Sequence, residues 1–282
     1  MKNKNVSITD IWLLLLAFLV CMPVILVVFG SMKSSIELTE SLAPVLKDVD
    51  QPIFWSIFPL YPTLKHYSSL LFKTPQFFVL FGNSVKIVGS ILLGQVVVGT
   101  PAAWAFARFQ FFCRKLLFTL YVILMLMPFQ VMMLPDYLVF QKLGLLNHQA
   151  AVILPAVFST FSVFIMYRGF RMKPVSILEA AKVDGASDFA IFIRIGLPLG
   201  SAGILSALVL SFLDNWNMIE QPLTFLKEQT LWPLSLYLPE IDASRAGMAF
   251  AASVIALIPA VFVFLLGQDY LEQGITATGV KE

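Results

Sequence analysis

The chain has 282 residues, of which 59% are hydrophobic and 13% are charged, and its formal net charge is +2 at pH 7. Soluble domains are nearer half apolar and a quarter charged, and a soluble globule of this size could not bury so much apolar surface. The composition also excludes a disordered chain, which would be poor in apolar residues, and disfavours a nucleic-acid binder, which would be more basic. Two distant cysteines, Cys21 and Cys113, exclude a disulfide scaffold.

Long apolar segments predict an all-α polytopic membrane protein with six transmembrane helices, because one spanning helix needs about 20 mostly apolar residues. The first predicted span, 11–30, is longer than the core of a signal peptide and lacks a cleavage site, so we expect it to be retained. It follows a polar N-terminus, 1–10, and precedes a proline-containing outer loop, 31–82. The remaining predicted elements are the spans 83–107, 116–135, 149–167, 197–220 and 246–267 and a C-terminal tail, 268–282.

Basic residues set the expected orientation. The connecting segments 108–115 and 168–196 are both rich in lysine and arginine, which is typical of cytoplasmic loops. We therefore expect both chain termini to be cytoplasmic and the loop 31–82 to be extracellular. Trp104 and Arg108, near the inner end of the second predicted span, are typical of anchors at the membrane interface.

No sequence motif indicates catalysis or an energy source within this chain. The phosphate-binding string G-x-x-x-x-G-K-[ST] does not occur, and neither does G-x-S-x-G or H-E-x-x-H. His66 and His148 have no cysteine or histidine neighbour, so we expect no metal site. Ion-coupled transporters place several charges within their spans, whereas Asp214 is the one clear case here. We therefore expect a non-catalytic chain that binds no cofactor itself.

The connecting segment 168–196 is not a plain hydrophilic loop. Its pattern predicts two short amphipathic helices, the first opened by Pro174 and the second capped by Ser187. Between them, Asp184-Gly185 predicts a tight corner, since glycine takes the left-handed conformation that ends a helix. Such a pair could lie on the bilayer surface or dock into a cleft of a cytosolic partner. Its small residues and mixed polar face favour docking.

The string E-A-A-x-x-D-G-A in this segment resembles the EAA loop of ABC importer permeases. The matching residues are Glu179, Ala180, Ala181, Asp184, Gly185 and Ala186, followed by Leu197 and Pro198. Nearly the whole chain from residue 62 resembles the carbohydrate-uptake branch, the maltose-type second permease. The stretches that carry this resemblance are Asn83-Ser84, 102–111, 143–147, Trp216-Asn217, Pro222-Leu223 and 279–281. The sequence departs from the family pattern at Ser201, Ala202 and 218–221.

The resemblance implies the type I ABC importer permease fold and a multi-pass location in the cell membrane. It implies that the chain forms half of a heterodimeric pathway with a second, homologous permease subunit. Two cytosolic ABC ATPase subunits would bind ATP and Mg, and an extracytoplasmic sugar-binding protein would deliver the sugar. The segment 168–196, which we name the EAA segment, would dock on the ATPase. Glu179 would pair with a basic group there, and Asp184 would hold the Gly185 corner by local hydrogen bonds.

A polar cluster in the fifth predicted span marks a possible substrate path. It comprises Asp214, Asn215, Trp216 and Asn217. Asparagine and aspartate bond hydroxyl groups, and tryptophan can stack on a sugar ring; alternatively, the cluster gates the outer mouth or bonds neighbouring helices. An alternative function is a self-contained secondary transporter of a small polar solute. The scarcity of charge within the spans and the lack of two matching halves argue against it.

Overall fold

The computed structural model describes residues 8–46, 56–237 and 245–279, and all regular structure in these residues is helical. The helices of the first part are α1 Ile8–Ser31, α2 Ser35–Leu46, α3 Lys65–Lys73, α4 Pro75–Gly94, α5 Thr100–Arg108, α6 Arg114–Met125 and α7 Phe129–Lys142. Those of the second part are α8 Ala150–Val157, α9 Thr160–Arg171, α10 Val175–Val183, α11 Asp188–Ile191, α12 Leu197–Trp216, α13 Glu220–Phe225 and α14 Ala246–Gly279. Wider π turns, Gln95–Gly99 and Phe192–Gly196, join α4 to α5 and α11 to α12.

Within the described residues, five helical segments are long and apolar enough to cross a membrane, and a bent pair would make a sixth. The five are Thr9–Ser31, Pro75–Arg108, Ala150–Arg171, Asp188–Trp216 and Ala246–Glu272. The bent pair is α6 and α7, whose axes differ by 107°. The predicted all-α polytopic class is therefore confirmed, and the predicted number of six holds if the bent pair is one span.

The second and third predicted spans differ from the helices observed. The second was placed at 83–107, but its helix begins at Pro75. Residues 75–82 are mostly apolar, and they extend the helix into the predicted outer loop. That loop, 31–82, also contains α2 and α3. The third was placed at 116–135 as one helix, but the chain breaks at Pro128, which has no N–H to continue the helical ladder and becomes the N-cap of α7.

Two further boundaries move for related reasons. The fifth span was predicted at 197–220, whereas its helix runs without interruption from Asp188 and ends at Trp216. The C-terminal tail was predicted from residue 268, whereas α14 continues to Gly279. The predicted N-terminal segment 1–10 and the end of the tail lie mostly outside the described residues.

The described chain forms two compact units. The first contains residues 1–78 and 237–258. Its interior holds a fully buried lysine, Lys33, whose Nζ lies 3.5 Å from a carboxylate oxygen of Glu37 and donates to the carbonyl oxygen of Ser56 at 2.6 Å. Glu37 also accepts from the backbone N–H of Leu60, and His66 Nε2 lies 3.0 Å from the carbonyl oxygen of Lys33. These bonds give a buried ion pair the partners it needs.

The second unit contains residues 79–236 and 259–282, and the crossing of α9 and α12 lies at its centre. The two helices approach so closely that a Cβ on Gly203 would lie 2.7 Å from the Cα of Gly169. One turn away, Gly200 packs against the ring of Phe170, which leaves no room for a Cβ at this position. Small residues at such crossings allow close packing of helices in a membrane.

Candidate functional site

The EAA segment folds as a helical hairpin with a glycine corner. Its first helix, α10, ends at a turn in which Gly185 has φ +82°, a backbone conformation that glycine adopts without strain. The backbone N–H of Ala186 donates to the carbonyl oxygen of Ala181 at 3.0 Å, which closes the end of the helix. Ser187 then caps α11, since its side chain accepts from the N–H of Ala190 at 3.3 Å. The predicted two helices and their corner are therefore present.

Ionic and polar contacts at the corner are modest. Lys182 Nζ and a carboxylate oxygen of Asp188 lie 2.9 Å apart and join α10 to α11. Because both side chains are more than half exposed, this pair contributes at most about 1 kcal/mol. Asp184 was expected to hold the corner by its side chain. Among the described residues its carboxylate makes no hydrogen bond, and backbone bonds hold the corner instead.

The hairpin has an inner and an outer face. On the inner face, Leu178 and Ile191 are buried against the core of the second unit. On the outer face, Glu179 and Ala180 are exposed, and so are two large apolar side chains, Val183 at 87% and Phe189 at 74%. Exposed large apolar side chains that adjoin charged ones mark surfaces that contact a protein or a membrane. The outer face is thus suited to contact another protein.

The hairpin is firmly joined to the transmembrane core. α11 continues through the π turn into α12, whose first turn contains Leu197 and Pro198. At the end of the π turn, Gly196 packs on the indole of Trp104, where a Cβ would lie 2.8 Å from the ring. Arg108 lies over the same indole at 5.6 Å and donates to the carbonyl oxygens of Phe170 and Lys173.

The packing corrects the prediction that Trp104 and Arg108 are interface anchors. Trp104 is only 6% exposed and makes an edge-to-face contact with Phe170. Its surroundings are the aromatic core that supports the EAA segment, and the guanidinium of Arg108 satisfies carbonyl groups at the C-terminal end of α9.

A second candidate site lies at the opposite end of α12. There, a cavity of about 350 Å³ opens between the end of α12 and α13. It is lined by Phe129, Leu213, Asp214, Asn215, Asn217, Met218, Ile219, Glu220 and Gln221. Three of the four predicted path residues, Asp214, Asn215 and Asn217, therefore come together at one cavity.

Hydrogen bonds arrange the polar groups of the cavity. The side-chain nitrogens of Asn215 and Asn217 donate to the carbonyl oxygens of Ser211 and Leu213, at 2.7 and 2.8 Å. Glu220 accepts from Gln130 Nε2, which lies 2.8 Å from each carboxylate oxygen.

Trp216 does not line this cavity. Its side chain is 5% exposed, stacks on Phe212 with a centroid distance of 5.3 Å and meets the edge of Phe81. The expectation that Trp216 stacks on a sugar ring therefore does not agree with its packing. The side chain fills the helix–helix interface instead.

Sequence reasoning missed the residues that hold the chain around the cavity. Asn83 donates to the carbonyl oxygens of Thr230 and Trp232, and Ser84 accepts from the N–H of Leu234. The stretch Asn83-Ser84, which carries part of the resemblance, thus holds the segment 225–236, which we name the outer brace. Gln130 was missed as well, because its partner is 90 residues away.

Asn147 is the second anchor of the outer brace. Its side-chain oxygen accepts from the N–H groups of Lys227 and Glu228, both at 3.0 Å, and its own φ is +62°. We expect Asn147→Gly to increase the mobility of the outer brace, because glycine keeps the backbone conformation but removes these two hydrogen bonds. Trypsin should then cut the folded protein after Lys227 several times faster than in the wild type.

The control for this prediction is Asn147→Asp/Glu228→Gln, which retains the accepting oxygen. The second change avoids two facing carboxylates, because Asn147 Nδ2 donates to Glu228 Oε1 at 2.9 Å in the wild type. Aspartate also tolerates a positive φ, so cleavage after Lys227 should rise less than in Asn147→Gly. Equal cleavage rates in the wild type and Asn147→Gly would contradict the bracing role.

Comparison with known proteins places these features in one family. The family described as "Binding-protein-dependent transport system inner membrane component" matches residues 95–277. The arabinooligosaccharides transport system permease protein AraQ of Halalkalibacterium halodurans is 28% identical, over 100% of both chains. A probable ABC transporter permease protein of Pyrococcus horikoshii is 31% identical, over 81% of this chain and 85% of the relative.

The fold has a solved counterpart. A crystal structure of a bacterial ABC transporter involved in the import of the acidic polysaccharide alginate contains a chain that superposes with a TM-score of 0.78 at 20% identity. The match covers 93% of this chain and 95% of that chain. It confirms the predicted importer-permease fold, and the family match does not fit the alternative of a self-contained secondary transporter. The chain belongs to the family of binding-protein-dependent transport system inner membrane components, the permease subunits of ABC importers.

Proposed function

We propose that this permease forms half of a heterodimeric pathway that moves a sugar or oligosaccharide into the cell, driven by partner ATPases. The observation that carries the proposal is the EAA segment, a hairpin with an exposed apolar face that is firmly joined to a spanning helix. Such a face is suited to a protein partner, and its attachment to α12 would give that partner a mechanical connection to the pathway.

The names of the relatives support a saccharide cargo. They include permeases for arabinooligosaccharides, for diacetylchitobiose in Streptomyces coelicolor and for lactose in Rhizobium radiobacter. A glycerol-3-phosphate permease of Salmonella typhi is also related, at 29% identity. Polyhydroxylated solutes are common to all four, and the cavity beside Asp214 is lined by groups that bond hydroxyls.

The proposed orientation places both termini and the EAA segment in the cytoplasm, in agreement with the basic residues near it. One of the two ABC ATPase subunits would bind the outer face of the EAA segment, and ATP and Mg would bind to the ATPase subunits. On the other side of the membrane, a sugar-binding protein would deliver its load to the pathway between this chain and a second, homologous permease.

The geometry offers a direct route from the ATPase to the cavity. The EAA segment enters α12 at Leu197, and the cavity begins near Asp214 at the far end of the same helix. This helix has 20 residues and is about 30 Å long. Closure of the ATPase dimer would displace the hairpin as a rigid body, and α12 would carry that displacement to the cavity.

We expect Glu179→Ala to reduce sugar uptake by reconstituted importer at least severalfold while the complex still hydrolyses ATP. Glu179 is exposed on the outer face, so its loss removes a charged contact with the ATPase without disturbing the core. Uptake and ATP hydrolysis are to be measured in the same proteoliposomes. The matched control is Glu40→Ala on α2, another exposed glutamate, and wild-type uptake in Glu179→Ala would contradict the docking role.

The cargo and the energy source can be tested in one experiment. Proteoliposomes that contain the complete importer and its binding protein are offered arabinotriose, diacetylchitobiose and lactose. We expect uptake of at least one of these sugars, and only when ATP is present on the ATPase side. Uptake driven by an ion gradient without ATPase subunits would overturn the proposal.

A further inference from the structure

The cavity beside α12 has a one-sided charge. Two of its nine lining residues, Asp214 and Glu220, are carboxylates, and none of the nine is lysine, arginine or histidine. Its volume of about 350 Å³ lies in the range of about 300–1,000 Å³ that is typical of small-molecule sites. We propose that this cavity is a passage site for uncharged saccharides and that Asp214 and Glu220 determine specificity by excluding sugar acids. This inference rests on the proposed import of sugars.

The free polar atoms of the cavity are mostly hydrogen-bond acceptors. The side-chain nitrogen of Asn215 donates to the carbonyl and hydroxyl oxygens of Ser211, and that of Asn217 donates once, to the carbonyl oxygen of Leu213. The side-chain oxygens of both residues and one N–H of Asn217 stay available to a ligand. The side-chain oxygen of Gln221 is buried and has no hydrogen-bond partner among the described residues. Sugar hydroxyl groups can donate to such oxygens. The cavity therefore complements a neutral, hydroxyl-rich ligand.

A sugar acid lacks this complementarity. Its carboxylate can only accept hydrogen bonds, and it would bring a third negative charge beside Asp214 and Glu220. Glu220 is held in place by Gln130, whose Nε2 lies 2.8 Å from both of its carboxylate oxygens. The neutral amide of Gln130 positions this charge but does not cancel it. Exclusion by like charge is an established way to obtain specificity.

The test measures binding to the whole importer, with both permeases and both ATPases, in nanodiscs without the binding protein. The probes are radiolabelled arabinotriose, diacetylchitobiose and lactose, each paired with its aldonic acid, which carries one added carboxylate at the oxidised reducing end. For the wild type we expect a neutral sugar to bind about tenfold more tightly than its acid, or about 1.4 kcal/mol. In Asp214→Asn/Glu220→Gln, this ratio should fall severalfold because binding of the acid improves.

The control is Glu40→Gln, which removes one charge from an exposed position on α2 and should leave the ratio at its wild-type value. Should the double variant fail to assemble, Asp214→Asn alone is measured, since Asp214 is exposed and its replacement is isosteric. Equal binding of sugar and acid by the wild type, or an unchanged ratio in the variant, would overturn the inference. Failure of every probe to bind would overturn it too, whereas ATP-driven sugar uptake by the complete importer would leave the proposed function standing.

Discussion

Replacing Gly185 by valine is expected to abolish most ATP-driven uptake while the transmembrane core remains folded. Gly185 has φ +82°, and valine in that conformation is strained by about 1–3 kcal/mol, because its branched side chain collides with its own backbone. An added Cβ at this position meets no atom within 4 Å, so steric conflict with neighbours does not contribute. The strain is relieved by opening the corner, which changes the angle between α10 and α11.

An altered corner would move the docking face away from the geometry that the ATPase requires. We expect at least a tenfold loss of uptake, with ATP hydrolysis continuing because the ATPase sites lie on other chains in the proposed assembly. Uptake and hydrolysis are to be compared in proteoliposomes that contain equal amounts of assembled complex.

Gly185→Asn is the matched control for this prediction. Asparagine adds a side chain of similar bulk but tolerates the left-handed conformation. It should retain most of the uptake. If Gly185→Asn lost as much uptake as Gly185→Val, the cause would be the added side chain at the docking face rather than the backbone corner.

The EAA segment could be predicted from the sequence because its determinants are local. Ser187 bonds a backbone group three residues away, and Gly185 needs only its own backbone freedom to form the corner. Both signals lie within a short stretch of chain and do not depend on distant packing. The role of Asp184 was predicted less well, because several backbone donors and acceptors at a helix end can close the same turn.

The cavity could be predicted only in part. The polar residues Asp214, Asn215 and Asn217 interrupt an apolar helix and are therefore visible in the sequence. The partnership between Gln130 and Glu220 joins helices that are 90 residues apart, and no local pattern indicates it. Trp216 was predicted to lie on the substrate path but packs between helices. A large aromatic residue beside polar residues can face a ligand or a neighbouring helix, and here the packing on Phe212 shows that it faces a helix.

The ends of the helices differ from the predicted span ends where apolar composition and backbone geometry disagree. The apolar composition of 116–135 predicts one continuous helix. Pro128 cannot supply the backbone N–H that a helix needs, and the axes of α6 and α7 differ by 107° at this point. Composition also separates the tail at residue 268 from the last span, whereas the backbone continues as one helix to Gly279. In both cases hydrogen bonding along the backbone, and not apolarity, sets the end of the helix.

Replacing Gly203 by alanine is expected to destabilise the permease markedly. The new Cβ would lie 2.7 Å from the Cα of Gly169, and both atoms belong to rigid helix backbones, so no side-chain rotation can relieve the contact. The axes of α9 and α12 must separate, which also disturbs Phe170 and the aromatic core beneath the EAA segment.

Overpacking of a core costs about 1–3 kcal/mol and occasionally more, and this backbone contact should lie at or above the upper end. Alanine gains about 1 kcal/mol over glycine in helix propensity, which offsets only part of that cost. The free energy of unfolding in detergent should therefore fall by about 2 kcal/mol or more. Gly89→Ala in α4 is the matched control, since a Cβ there meets nothing within 4 Å. It should leave the free energy unchanged or slightly higher, and a Gly203→Ala protein as stable as this control would show that α9 and α12 do not depend on close contact.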